Sequence, residues 1–288
     1  MSLCDEKLTI KEKTATIEEN IAVAPYNVVI MGDNTYDNGD QLELNCSSEG
    51  RPDLEYSWNR TNTFSATTTT NTSTLTISDL ATVDGGEYTC TVNNDAGSSS
   101  TTVTVYIAPY NVVIMGDNTY DNGDQLELNC SSEGGPDLEY SWSRTNAFLA
   151  TTTTNTSTLT ISDLATVDGG DYTCTVTNDA GTSMDTITVY VAPYNVVIMG
   201  DNTYDNGDQL ELNCSSEGGP DLEYSWSRTN TFSATTTTNT STLTISDLAT
   251  VDGGDYTCTV TNDAGTSNRT ITVYVNESRG SKHWSSAP

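Results

Sequence analysis

The chain repeats itself, and the length of the repeat limits what it can fold into. The run PYNVVIMGDNTYDNGDQLELNCSSEG begins at Pro25, Pro109 and Pro193, and 109 − 25 and 193 − 109 both give a period of 84 residues. Solenoid units run to about 20–50 residues, because one such unit cannot bury a core by itself. A unit with its own cysteine pair and its own tryptophan can do so, which predicts an array of complete domains. The second and third copies differ at only five positions, Ala147/Thr231, Leu149/Ser233, Met184/Asn268, Asp185/Arg269 and Ala192/Asn276, as expected after recent duplication. The first copy closes on the run Thr102 to Ile107 and reaches the next proline within two residues. The expectation is a semi-rigid, extended array without flexible linkers. Its domains cover 25–107, 108–191 and 192–275, between an N-terminal segment 1–24 of open origin and a polar tail 276–288.

Within one copy the apolar residues recur at every second position. Leu42, Leu44 and Cys46 share one face, as do Leu54, Tyr56 and Trp58, then Leu75 and Ile77, then Tyr88, Cys90 and Val92, then Val103 and Val105. One buried face alternating with one polar face is the pattern of an antiparallel sandwich. Turn residues punctuate the runs at Asn38-Gly39, Gly50-Arg51-Pro52, Asp84-Gly85-Gly86 and Asn94-Asp95-Ala96-Gly97. No stretch has helical periodicity, and the abundance of Thr and Tyr favours strands. The fold class is therefore all-β.

These residues resemble the immunoglobulin superfamily. Cys46, Trp58 and Cys90 are similar to its two sheet-bridging cysteines and the tryptophan packed on their disulfide. The trio recurs as Cys130, Trp142, Cys174 and as Cys214, Trp226, Cys258. Asp84-x-Gly86-x-Tyr88-x-Cys90 is similar to the family's tyrosine-corner motif, with Tyr172 and Tyr256 in the later copies. The resemblance covers residues 25–275 and implies three tandem immunoglobulin-like antiparallel β-sandwiches, each with one disulfide. A closed loop of this length stabilises a domain by about 4 kcal/mol in the chain-entropy model. It also implies that the Tyr88 hydroxyl returns to backbone near the turn, and that Asp84 accepts backbone N–H bonds there. Only 31 residues separate Trp58 from Cys90, which is short for a variable-type domain with C′ and C″ strands. An I-set or short constant-like set fits better, in the style of hemicentin-like or carcinoembryonic-antigen-related adhesion arrays.

Charge narrows the partners. With 10 Lys+Arg and 40 Asp+Glu the net charge is −30. Such a field repels nucleic-acid backbones and anionic membrane surfaces, so the expected partner is a protein, and a basic one fits best. Homophilic contact requires the charges to be screened. The sole histidine, His283, lies in the polar tail, so no repeat holds a histidine-based catalytic site. The loop with Asp33, Asp37 and Asp40 matches no EF-hand spacing and reads as a solvated turn. No enzyme activity, cofactor or metal is expected. Residues 1–24 lack the apolar core of a secretory signal, and no apolar run is long enough to span a bilayer. Paired cysteines nevertheless imply an oxidising compartment. A piece of a larger extracellular or cell-surface protein reconciles the two. Cys4 is left over.

Nine Asn-x-Ser/Thr sequons become informative in that setting. Asn45, Asn129 and Asn213 precede inward cysteines, so they face outward from the family's strand B. Asn71, Asn155 and Asn239 precede strand E of the same sheet. Glycans there would cover the A-B-E-D sheet and leave the C-F-G sheet for contacts. Asn59 faces out from that second sheet in the first domain, Asn268 starts its strand G in the third, and Asn276 opens the tail. The second domain has Ser143 and Met184 where the first and third have Asn59 and Asn268, and it gains Leu149 beside Phe148. Phe148, Leu149 and Met184 are thus the expected partner contacts. The function expected is adhesion or cell-surface recognition. The alternatives are a structural spacer of extracellular matrix or a receptor ectodomain, and an intracellular filament-type array with reduced cysteines.

Overall fold

Alternation in the sequence becomes alternation in burial. Leu42, Leu44 and Cys46 are fully buried while Glu43 and Asn45 between them are exposed. The structure is a computed structural model and describes residues 21–60, 64–66, 73–145, 147–152, 156–229, 232–236 and 241–277. Cys4, His283, Asn71, Asn155 and Asn239 lie outside the described residues.

In the first domain β3 (Leu42–Arg51) pairs antiparallel with β1 (Val23–Met31) and β6 (Thr74–Ile77). The facing sheet contains β4 (Glu55–Arg60), β5 (Phe64–Ala66), β7 (Gly86–Asn94) and β8 (Gly97–Met115), with the short β2 (Thr35–Tyr36) parallel to β8. The second domain repeats this with β9 (Thr119–Tyr120), β10 (Leu126–Gly135), β11 (Glu139–Arg144), β12 (Ala147–Thr152), β13 (Thr156–Ile161), β14 (Gly170–Asn178) and β15 (Gly181–Met199). The third has β16 (Thr203–Asp205), β17 (Leu210–Gly219), β18 (Glu223–Arg228), β19 (Phe232–Thr236), β20 (Ser241–Ile245), β21 (Gly254–Asn262) and β22 (Gly265–Asn276). The result is three all-β sandwiches in tandem.

A C′ strand is present, since β5, β12 and β19 pair with β4, β11 and β18. The short Trp–Cys spacing leaves room for one short edge strand, though not for two. Among the described residues the first sheet holds strands A, B and E, and the stretches between C′ and E, where the expected strand D would fall, lie outside them.

The domains are joined by shared strands. β8 pairs with β7 up to Val105, then with β10 from Ile107 onward. It is the last strand of one sandwich and the first of the next, and β15 does the same between the second and third domains. Six strands therefore form one hydrogen-bonded path, β13-β10-β8-β7-β4-β5, across two domains. Along β8, Val105 and Ile107 belong to the first core, whereas Val112 and Ile114 pack on the second. That change from odd to even positions needs a one-residue irregularity, because side chains alternate with a period of two. Of the two register shifts on the partner strand, on either side of Glu133, the one between Glu133 and Ser131 falls at this change, and Asn111 sits there with φ 50°. Asparagine tolerates this left-handed conformation better than most residues. Asn195 plays the same part in β15 at φ 49°, and Asn27 sits at a like register shift in β1, within the first domain, at φ 53°.

Side chains lock the joint. The Thr82 hydroxyl accepts the Gly134 N–H at 2.9 Å and shares a hydrogen bond with the Tyr110 hydroxyl at 3.0 Å. Asn178 donates to the carbonyls of Ile107 and Pro136 at 2.9 and 3.2 Å. A Cβ on Gly85 would stand 2.5 Å from the Gly135 carbonyl oxygen. Thr166, Gly218, Tyr194, Asn262 and Gly169 repeat the arrangement at the second joint.

Each core is built around a disulfide. Cys46–Cys90, Cys130–Cys174 and Cys214–Cys258 bridge the two sheets with Cα–Cα distances of 6.5, 6.4 and 6.4 Å. Trp58, Trp142 and Trp226 are buried beside them in the same clusters. Trp142 and Trp226 donate their indole N–H to the hydroxyls of Ser157 and Ser241. Trp58 has no acceptor among the described residues, and the equivalent Ser73 donates to Asn45 Oδ1 instead.

Candidate protein-contact site

The outer face of β11, β14 and β15 is made of cross-strand rows. Directly opposed residues share a face, which gives the rows Glu139–Thr177–Thr182, Ser141–Thr175–Met184 and Ser143–Thr173–Thr186. The hydroxyls are paired with one another. Thr173 and Thr186 share a hydrogen bond of 2.9 Å, Thr177 and Thr182 one of 3.3 Å, and Thr188 donates to Asp171 at 2.6 Å. Covering hydroxyls that already have partners costs less than covering orphaned ones. Met184 stands out of this face at 70% exposure. Its neighbour Asp185 points to the other side, where its carboxylate accepts the Ile114 N–H at 3.1 Å and ties β15 to β8.

The other two domains present the same hydroxyl rows with different insertions. In the first, exposed Asn59 heads the row Asn59–Thr89–Thr102. In the third, exposed Asn268 takes the place of Met184 in the row Ser225–Thr259–Asn268. Phe148 and Leu149 belong to β12, which pairs with β11. Phe148 is opposite Ser143, and Leu149 is the extra residue at a register shift. Their side chains lie outside the described part of the structure. Of the strand-B asparagines, Asn45 is exposed and Asn129 and Asn213 are half-buried, all on the outer side of the A-B-E sheet. Asn276 is exposed at the end of β22.

Beneath this face lies the turn that fixes β14. The Tyr88, Tyr172 and Tyr256 hydroxyls donate to the carbonyls of Asp84, Asp168 and Asp252 at 2.7, 2.7 and 2.8 Å. The aspartate carboxylates accept the N–H groups of Ala81, Ala165 and Ala249. A third member was missed in the sequence: Arg60, Arg144 and Arg228 pair with those aspartates at 3.1, 3.0 and 2.8 Å. Each guanidinium also donates to the tyrosine hydroxyl and lies 5.8 Å from its ring centroid. Burial pushes the Tyr88 and Tyr172 hydroxyls above the ordinary tyrosine pKa. The Ala249 N–H first, and the Arg228 guanidinium second, hold the Asp252 carboxyl below the ordinary range.

The immunoglobulin I-set domain model matches residues 27–107, and an immunoglobulin domain model matches 111–178 and 195–262. The chain belongs to the immunoglobulin superfamily. Among curated immunoglobulin relatives, Hemicentin-1 of Homo sapiens is 29% identical over 252 residues, covering 82% of this chain and 4% of the relative. Peroxidasin homolog of Mus musculus is 24% identical over 94% of this chain and 19% of the relative. Cell adhesion molecule DSCAM of Homo sapiens is 26% identical over 79% of this chain and 13% of the relative. The chain thus spans a small part of each relative's length. The solved complex of Dpr2 Ig1-Ig2 with DIP-Theta Ig1-Ig3 aligns at a TM-score of 0.53 and 19% identity, over 88% of this chain and 99% of the matched one. That similarity speaks to the immunoglobulin fold.

Proposed function

We propose that this chain is a protein-binding array of an extracellular or cell-surface protein, serving adhesion or recognition rather than catalysis. The contact is made by the outer face of β11, β14 and β15 in the second domain. The observation that carries this reading is Met184, an apolar side chain projecting from a self-paired hydroxyl face that carries a sequon asparagine in each neighbouring domain. Phe148 and Leu149 on the adjoining strand complete the contact. Relatives named as adhesion molecules support the general role, and a fold neighbour solved in complex with a partner supports a protein ligand. A basic partner fits the net charge of −30. Two copies repel until salt shortens the Debye length from about 30 Å to about 8 Å. The shared strands at the joints also suit a spacer, and the same test separates the two readings. Leu149→Ser combined with Met184→Asn abolishes binding of the array to its target cells if the second domain makes the contact. Undiminished binding would leave the spacer reading.

A further inference from the structure

Each domain exposes a second apolar feature, on its opposite sheet. Met31, Met115 and Met199 are 55%, 52% and 56% exposed, and Val29, Val113 and Val197 beside them are nearly as open. The six residues lie on the A-strand segments of β1, β8 and β15, which carry the edge of each A-B-E sheet. Repeated apolar side chains on an edge strand invite unwanted pairing unless something covers them. The residue directly opposite each methionine is a strand-B sequon asparagine: Met31 pairs with Asn45, Met115 with Asn129 and Met199 with Asn213. Methionine and asparagine together line a shallow groove of about 360 Å³ in the first domain and 500 Å³ in the second. In the first domain the Asn45 Oδ1 faces β6, where it accepts from Ser73 and Thr74. In the third, the Asn213 Oδ1 faces β20 through Thr242. In the second domain the Asn129 Oδ1 is buried without a hydrogen-bond partner among the described residues.

We infer that the strand-B asparagines carry N-linked glycans whose first N-acetylglucosamine lies in this groove against Met31, Met115 and Met199. The inference rests on the extracellular reading above. In the modification the amide nitrogen bonds to the anomeric carbon of a lipid-pyrophosphate-linked oligosaccharide. The bond from that carbon to the pyrophosphate oxygen breaks, the amide gives up one proton, and the lipid pyrophosphate leaves with the electron pair. The sugar's apolar face then covers the methionine, and its bulk blocks the sheet edge. The groove's polar wall of Gln41 and Glu43, repeated as Gln125 and Glu127, offers partners to the hydroxyls.

The test is peroxide oxidation of the full chain, directed through the secretory route of mammalian cells by an added leader and read by peptide mass mapping. Met184, 70% exposed with no sequon opposite, is the internal standard. Sulfoxide formation follows exposure, so Met31, Met115 and Met199 oxidise at least about threefold more slowly than after enzymatic removal of the glycans, while Met184 does not change. Asn45→Gln, or Ser47→Ala as a second way to remove the sequon, releases Met31 alone. Sugar present with methionines oxidising equally in both forms would overturn the seat and leave the extracellular reading intact. Bare asparagines in protein with all three disulfides formed would overturn the modification, again without touching that reading. Loss of cell binding in the Met184→Asn variant belongs to the contact face and does not bear on the groove.

Discussion

At the scale of residues, the corner formed by an arginine, an aspartate and a tyrosine ties β14 and its counterparts to the turn before them. Trp58 and Arg60 are two positions apart, so both point inward, and an inward arginine requires an acidic partner. That signal was present in the sequence and went unused, because Asp84 is 24 residues away from Arg60 and nothing local links them. The cysteines, tryptophan and tyrosine were legible because each stands in the inward register of its own strand. The Asp252 corner makes a pH prediction. Its carboxyl titrates lower in the folded chain than the ordinary unfolded value. Its stabilising contribution is therefore present above about pH 4 and lost as pH falls through the lower folded value. Thermal unfolding of the third domain between pH 6 and 3 should show the midpoint falling with acid, and Asp252→Asn should flatten that fall. Acid also relieves the repulsion of a strongly acidic chain, with the opposite sign, so the difference between variant and wild type is the quantity to read. Equal slopes would contradict the assignment.

At the scale of elements, the bulges at Asn111 and Asn195 allow one strand to serve two cores. The sequence showed strands ending at Ile107 and a proline two residues on, which reads as a boundary. The structure carries the strand through to Met115. Parity explains the misreading: the apolar residues before and after the bulge fall on opposite faces, so no single two-fold pattern spans them. A β-branched residue is poorly suited to the left-handed conformation, at a cost of about 1–2 kcal/mol. Asn111→Val should lower the unfolding free energy of the second domain, read by urea titration, by an amount of that order, and Asn111→Gly by less, although both lose the bond from Asn111 to Glu133. Valine tolerated as well as glycine would argue against the bulge.

At the scale of the whole molecule, the joints make the array a unit. The repeat and the missing linker were visible in the sequence. The threonine, asparagine and glycine contacts across the joint were not, because the Gly134 N–H to Thr82 and Asn178 to Ile107 bonds link residues 52 and 71 positions apart, and Gly85 meets a glycine similarly remote in the sequence. Gly85→Ala places a methyl where the Gly135 carbonyl stands. It should broaden the distance distribution between spin labels on the first and second domains while each domain's own unfolding midpoint holds. Gly253→Ala, at the equivalent turn of the third domain where the nearest atoms stand at 3.4 Å, should change neither. Equal effects of the two would contradict the joint.

The proposed contact by the second domain is tested most directly by placing a sugar on one face at a time. Met184→Asn and Ser100→Asn each complete a sequon, with Thr186 and Thr102, at equivalent positions of β15 and β8. Binding of the two glycosylated arrays to cells that retain the wild type should be lost with Met184→Asn and kept with Ser100→Asn. Binding that survives the first substitution, or fails equally with both, would contradict a contact centred on the second domain.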